Sequence, residues 1–184
     1  MSEAPKIIIK KSGGSRRKEF ADFSFQRSQV PDVEDARLRD YRHQAWEAYM
    51  TLPFPNLSDE AWRRTDIRNL QTESFSLSTK QPSTPPPTRF LSPVMTGEER
   101  GGQIISGVVD TTITLDPLLK DKGVIFTDIR TAEQEHPDLL FQTLGQIIFP
   151  NEDKMSALAA AMAEDGVFLY VPKKVKIDQP LRSL

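Results

Sequence analysis

From Pro31 onward, apolar side chains return every three or four positions: Leu38, Tyr41, Ala45, Ala48 and Leu52, with Arg37, Arg39, Arg42 and His43 mostly off that face. This spacing predicts an amphipathic helix. It ends at "TLPFPNLS", where Pro53 and Pro55 cannot supply the backbone donors a continuing helix needs. Ser58 then reads as the N-cap of a second, shorter helix carrying "EAWRRTDIRNL", with Asp59 and Glu60 in a first turn that favours negative charge. Farther on the period shortens. "QIISGVVDTTITL" and "GVIFTDI" are rich in β-branched residues and bounded by Gly102, Pro117 and Gly123, which predicts two strands lying as antiparallel neighbours. After "RTAEQEHPD" a helix from Pro137 places Leu140, Leu144, Ile147 and Ile148 on one side until Pro150. Another follows from Asn151 with Met155, Leu158, Ala159 and Met162 as its apolar stripe, and stops at Asp165-Gly166. A last strand, Val167 to Val171, closes the pattern.

Two stretches lack such periodicity. Residues 1–30 include "KIIIKKSGGSRRKEF", a mixture of Gly, Ser and basic side chains expected to be a disordered tail rather than a basic arm for nucleic acid or anionic lipid. From Gln71 to Gly102 the chain carries five prolines and few periodic apolar positions. A Pro-rich loop over 80–101 is expected, serving as a spacer rather than as a ligand for a Pro-binding groove. The expected organisation is a tail over 1–30, a helical domain with a small sheet over 31–165, and a strand-forming segment over 166–184. The fold class is α+β.

Composition narrows the function. The 184 residues are 38% hydrophobic, enough for one buried core. A formal charge of −2 argues against a dedicated nucleic-acid binder. There is no cysteine, so disulfides, thiolate metal sites and cysteine nucleophiles are excluded from this sequence. No apolar run approaches the roughly 20 residues of a membrane helix. The N-terminal "MSEAPKIIIKKSGG" lacks the apolar stretch of a secretory signal. A cytoplasmic protein without membrane contact is expected.

Catalytic devices are lacking in the sequence. It has no Gly-rich loop ending in Gly-Lys-Ser/Thr, no Gly-x-Gly-x-x-Gly and no Gly-x-Ser-x-Gly elbow. Glu133 and His136 have the Glu-x-x-His spacing of di-iron bundles, but no second such pair accompanies them and Pro137 marks a helix boundary. His43 is expected on a solvated polar face. The stripe of Met155, Leu158 and Met162 reads as core, with a partner groove as its alternative. Trp62 beside Arg63, Arg64 and Asp66 reads either as an intramolecular lid or as an anchor for a partner. No enzyme, resident metal or cofactor is expected.

Three ordered blocks carry a resemblance. "LPFP" followed by "DEAWRRTDIRNL", then "KGVIFTDIRTAEQEHPDLL", then "MSALAAAMAEDGVFLYVPKKVKIDQPL" resemble the SufB/SufD family of scaffold subunits of the SUF iron–sulfur cluster assembly machine, from about Arg37 to the end. The last block is shared by both branches, whereas "AWRRTDIRNL" points to the SufD branch. The resemblance implies an N-terminal domain that leads into a right-handed parallel β-helix, here truncated to its first strand. Val167, Leu169, Val171 and Pro172 would stand at the entrance to that β-helix, and Trp62, Arg63, Thr65 and Asp66 carry the family motif or meet a partner. It also implies SufB and SufC as partners, with an iron–sulfur cluster held only in the assembled complex. Lys174 departs from the family's usual glycine in "VPKG" and leaves the turn after Pro172 in question. The expected role is a non-catalytic scaffold. The alternative is a free-standing adaptor gripping a peptide or protein through the "AWRRTD" surface. Weak self-association through the last strand is a further expectation, strengthened by salt as the lysines at 173, 174 and 176 are screened.

Overall fold

The computed structural model describes residues 22–67, 69–77, 100–106 and 111–184. Within them the chain is a mixed α+β protein with five α-helices, three short 3-10 turns and five strands. Helix α1 spans Ala36–Thr51 and is capped by Asp35, whose carboxylate accepts from the N–H groups of Arg37 and Leu38. A five-residue helix α2, Pro117–Asp121, follows the first two strands. Helices α3, Ile129–Glu135, and α4, Pro137–Thr143, meet at His136, and α5 covers Lys154–Met162.

The strands form two separate sheets. Strand β1, Gly102–Ser106, pairs antiparallel with β2, Thr111–Leu115, and on its other side parallel with β5, Leu181–Ser183. Strand β3, Ile125–Asp128, pairs antiparallel with β4, Val167–Tyr170, in the register Phe126 to Leu169. The central strand β1 has Ile104 and Ile105 buried, whereas β2 alternates between half-buried and exposed positions, as an edge with one wet face should.

Helix α1 is the spine of the core. Leu38, Arg42, Ala45, Trp46 and Tyr49 are buried along one stripe. Ala45, Trp46 and Tyr49 pack against Ala157 and Ala161 of α5, whose small side chains let the two helices come close. Leu38 joins Ala132, Leu140 and Phe168, so that β4 is tied to the helical layer through one large side chain. Gly166, just before β4, lies so close to α3 that a Cβ there would come within 2.8 Å of Ile129 Cγ1.

Several expectations are corrected. The single strand expected over "QIISGVVDTTITL" is a hairpin of β1 and β2, and the antiparallel neighbour of "GVIFTDI" is β4, 40 or so residues later in the chain, rather than that segment. The helix expected from Ser58 is only the 3-10 turn Glu60–Trp62, with Asp59 at its N-cap; Ser58 lies before it, its N–H and hydroxyl both donating to the side-chain oxygen of Asn56. Helix α4 stops at Thr143 instead of Pro150, since Gly145 takes a positive φ of 67°, and Ile147, Ile148 and Phe149 are exposed. Helix α3 was not expected at all. In α5 the buried face is Lys154, Ala157 and Ala161, while Ala159 is exposed.

The expected tail over 1–30 is packed across 22–30, where Val30 is buried and Phe23 and Phe25 lie on the α1–α5 core. Residues 1–21 and 78–99 lie outside the described residues, and with the latter all but the last two positions of the Pro-rich loop expected over 80–101. Lys174 does adopt the left-handed conformation, with φ of 69°, so the turn that glycine would favour is retained with lysine in it.

Candidate functional site

The two groups of residues singled out by sequence lie at opposite ends of α5. Both ends of this helix are gripped by charged side chains, and the grip is reciprocal. At its N-terminus, Asp153 caps the helix by accepting from Met155 N–H and Ser156 N–H, both at 2.8 Å. Next to it the buried Lys154 reaches across to the C-terminus of α1, donating to Tyr49 O at 2.7 Å and Leu52 O at 3.0 Å. A cation at a helix C-terminus satisfies free carbonyls and complements the helix dipole. Asp22 balances the charge at 3.0 Å, and the ammonium lies 4.4 Å from the centre of the Tyr49 ring.

At the other end of α5, Arg42 of α1 donates to Ala161 O at 3.3 Å and Ala163 O at 2.8 Å. Its second terminal nitrogen pairs with Glu133 of α3, and both side chains are over nine-tenths buried. Arg42 therefore belongs to the interior, not to the polar face on which its charge would place it. Glu133 is committed to Arg42, and His136 forms the junction between α3 and α4. Among the described residues no cluster of three His, Asp or Glu side chains is arranged to hold a metal ion.

Trp62 settles against this framework. Its indole Nε1 donates to Asp153 Oδ2 at 3.1 Å, which makes the half-buried ring a lid on the N-terminus of α5. Burial alone would raise the Asp153 carboxyl, but hydrogen bonds from Ser156 N–H, Trp62 and Met155 N–H outweigh it and hold the pKa below the ordinary carboxylate value. Arg63 is exposed and meets Glu60 at 3.5 Å. Thr65 is exposed and its N–H donates to Trp62 O, and Asp66 is exposed on the same turn. The motif thus divides into an inward indole and an outward polar rim.

The second group presents a different surface. Val167, Leu169 and Val171 are exposed to 41%, 47% and 37%, as is Tyr170 to 38%, while Phe168 is buried. Pro172 packs beside Gly123, where an added Cβ would lie 3.3 Å from its ring. Sequence reasoning missed the Lys154 and Arg42 contacts. The signal for Lys154 was present, since Asp153-Lys154 stands just before an apolar run and Asp153 is a natural N-cap, but nothing local tells that the lysine turns inward.

No helix among the described residues is long and apolar enough to cross a membrane. A family model described as the SufBD protein N-terminal region matches residues 15–182, nearly the whole sequence. The chain belongs to this family, as a SufD-like N-terminal region. It is 32% identical over 157 residues to the iron–sulfur cluster assembly protein SufD of Bacillus subtilis, covering 82% of this chain and 35% of that protein. An iron–sulfur cluster assembly SufBD family protein of Synechocystis is 27% identical over 157 residues, covering 81% of this chain and 33% of that protein. A SufBD family protein of Mycobacterium tuberculosis is 42% identical over a shorter stretch of 65 residues, 35% of this chain and 8% of that protein. The chain spans about a third of the first two relatives. No solved structure matches it.

Proposed function

We propose that this chain is the N-terminal domain of a SufD-like scaffold subunit that contributes contacts, not catalysis, to iron–sulfur cluster assembly in the cytoplasm. The carrying observation is the family match across residues 15–182, together with relatives named for iron–sulfur cluster assembly. The absence of cysteine from the sequence supports the non-catalytic part, because clusters are held chiefly by thiolates. The cluster itself is cargo of the assembled complex, in which SufB and SufC are the partners. Physically the domain acts as a mount: α5 is pinned at both ends to α1, and β4, which follows it, is held by Phe168 and by pairing with β3. In a longer polypeptide β4 would lead into the β-helix.

The adaptor alternative relies on Trp62 as the anchor for a peptide. The bond from the indole to Asp153 favours the scaffold reading, since it gives Trp62 a role inside the domain. The test is genetic and chemical. Cells from which the stretch encoding residues 22–184 is deleted in frame should show lower cluster occupancy in their iron–sulfur enzymes, measured as iron and labile sulfide per purified enzyme. Unchanged occupancy under iron limitation would count against the assembly role.

A further inference from the structure

Two segments far apart in the chain meet over the N-terminal end of α5. The first, residues 22–25, brings Asp22 to Lys154 at 3.0 Å and lays Phe23 and Phe25 on the α1–α5 core. The second follows α1, sets Phe54 and Phe75 against Phe23, and bonds the Trp62 indole to Asp153. Asp153 and Lys154 are neighbours, so one segment holds the carboxylate and the other the ammonium. Phe23 joins the two segments. Its ring stacks on Phe25 with centroids 5.4 Å apart, meets Phe75 edge-on at 5.5 Å and lies 6.1 Å from Phe54. Ring pairs in these arrangements stabilise beyond the area they bury.

The frame beneath is made without them. Lys154 donates to Tyr49 O and Leu52 O, Asp153 caps α5, and Ala157 and Ala161 meet α1 through their own small side chains. The covering layer is held differently. Asp22 is 55% exposed, Phe75 is exposed, and the pair of Arg27 with Glu47 is exposed at both ends, where ion pairs contribute little. Backbone bonds in the second segment close on themselves: Asp59 N–H on Asn56 O, Trp62 N–H on Asp59 O, Thr65 N–H on Trp62 O and Phe75 N–H on Thr72 O. A layer with local backbone bonds and solvent-facing side chains opens at a lower free energy than the packed helices under it.

We propose that residues 22–25 and the stretch carrying Trp62 form one cooperative lid over the start of α5, latched by Asp22 on Lys154 and joined through Phe23, which opens as a unit while α1 and α5 stay together. When Phe23 lifts, Phe54 and Phe75 lose the ring between them, and Lys154, beside the residue that anchors Trp62, loses its counter-charge. Release of Trp62 loosens Phe23 in turn, because coupling of this kind is reciprocal. The lid hides an ammonium whose side chain is 3% exposed when closed, and opening presents it to solvent beside the Tyr49 ring.

The two tryptophans test this within one chain. Trp62 belongs to the lid, whereas Trp46, 4% exposed, belongs to the α1–α5 core. Hydrogen exchange of both indole N–H groups is followed by nuclear magnetic resonance in the full chain at a series of low urea concentrations. Trp62 should exchange through an opening that depends weakly on urea, and Trp46 through global unfolding that depends on it strongly. Asp22→Asn and Phe23→Leu, both far from Trp62 in sequence, should each speed Trp62 exchange by about threefold to tenfold, the effect of one hydrogen bond or ring contact of ordinary strength. Lys154 gives a second readout in the unaltered chain. Its acetylation by sulfo-N-hydroxysuccinimide acetate, located by mass spectrometry, should show the same weak urea dependence as Trp62. Equal urea dependence of the two indoles would overturn the proposal, since the layer would then open only with the whole domain. A Trp62 rate that neither substitution changes would also overturn it, because the two segments would then move independently.

Discussion

Replacing Arg42 by methionine removes a cation from the interior but leaves Glu133 in place, its side chain 9% exposed and without its partner. Removing one member of a buried ion pair costs about 3–5 kcal/mol, because the remaining charge is stranded away from water. Ala161 O and Ala163 O also lose their donor, at about 1 kcal/mol for a hydrogen bond of ordinary strength. The second contribution survives in the double variant Arg42→Met/Glu133→Met, whereas the first does not. The double variant should therefore recover all but about 1–2 kcal/mol of the loss, a coupling of at least about 2 kcal/mol. Urea unfolding at pH 7, followed by far-ultraviolet circular dichroism, measures each member of the cycle. A single-variant cost below about 1 kcal/mol, with additive effects, would mean that Arg42 and Glu133 are solvated in solution and that the reciprocal pinning of α1 and α5 is wrong.

Trp62→Phe keeps an aromatic ring, though a smaller one, and deletes the bond to Asp153; it should lower stability by about 1–2 kcal/mol, or the melting temperature by a few degrees. Lys174→Gly relieves a left-handed lysine and should raise stability by about 0.5–1 kcal/mol, read as a higher melting temperature. Stability should fall in acid. The side chain of Arg37, hydrogen-bonded to Asp35, lowers that carboxyl to about 2, and Asp153 also lies below the ordinary value of 3.8. Such groups bind their proton more tightly when unfolded, so their contribution is complete above about pH 5 and is lost as pH falls through the folded pKa toward 2. Thermal melts from pH 7 down to pH 2 should show that decline, and Asp35→Asn should reduce it.

Periodicity made α1 legible because one apolar stripe over 16 residues dominates every competing signal. The same pattern misplaced Arg42, since only the third dimension reveals the carbonyls of Ala161 and Ala163 waiting more than 100 residues away. In α5 the sequence offered Met155, Leu158, Ala159 and Met162 as the core stripe; Leu158 and Met162 do pack on the core half-buried, but close approach to α1 puts Ala157 and Ala161 at its centre. The β1–β2 hairpin and the β3–β4 pair contain correctly recognised strand-forming residues. Their partners were not readable, because β-branched composition says that a strand exists and nothing about which edge it meets. Trp62 was legible as a choice between lid and anchor, and the bond to Asp153 gives the intramolecular contact that the lid reading expects. The row Val167, Leu169, Val171 was recognised as one face, and the bond from Ile129 to Gly166 supplies what sequence could not, the direction of its backbone groups.

The central claim is that this domain makes contacts within a SUF assembly and performs no cluster chemistry of its own. Mixing the purified chain with SufB and SufC from the same source, with iron and sulfide present, and following both protein and visible absorbance during sedimentation tests it most directly. The account predicts that the chain co-sediments with the partner subunits, and that the chain alone keeps no cluster absorption after desalting. A chain that sediments apart from SufB and SufC, or that retains a stoichiometric cluster by itself, would contradict it.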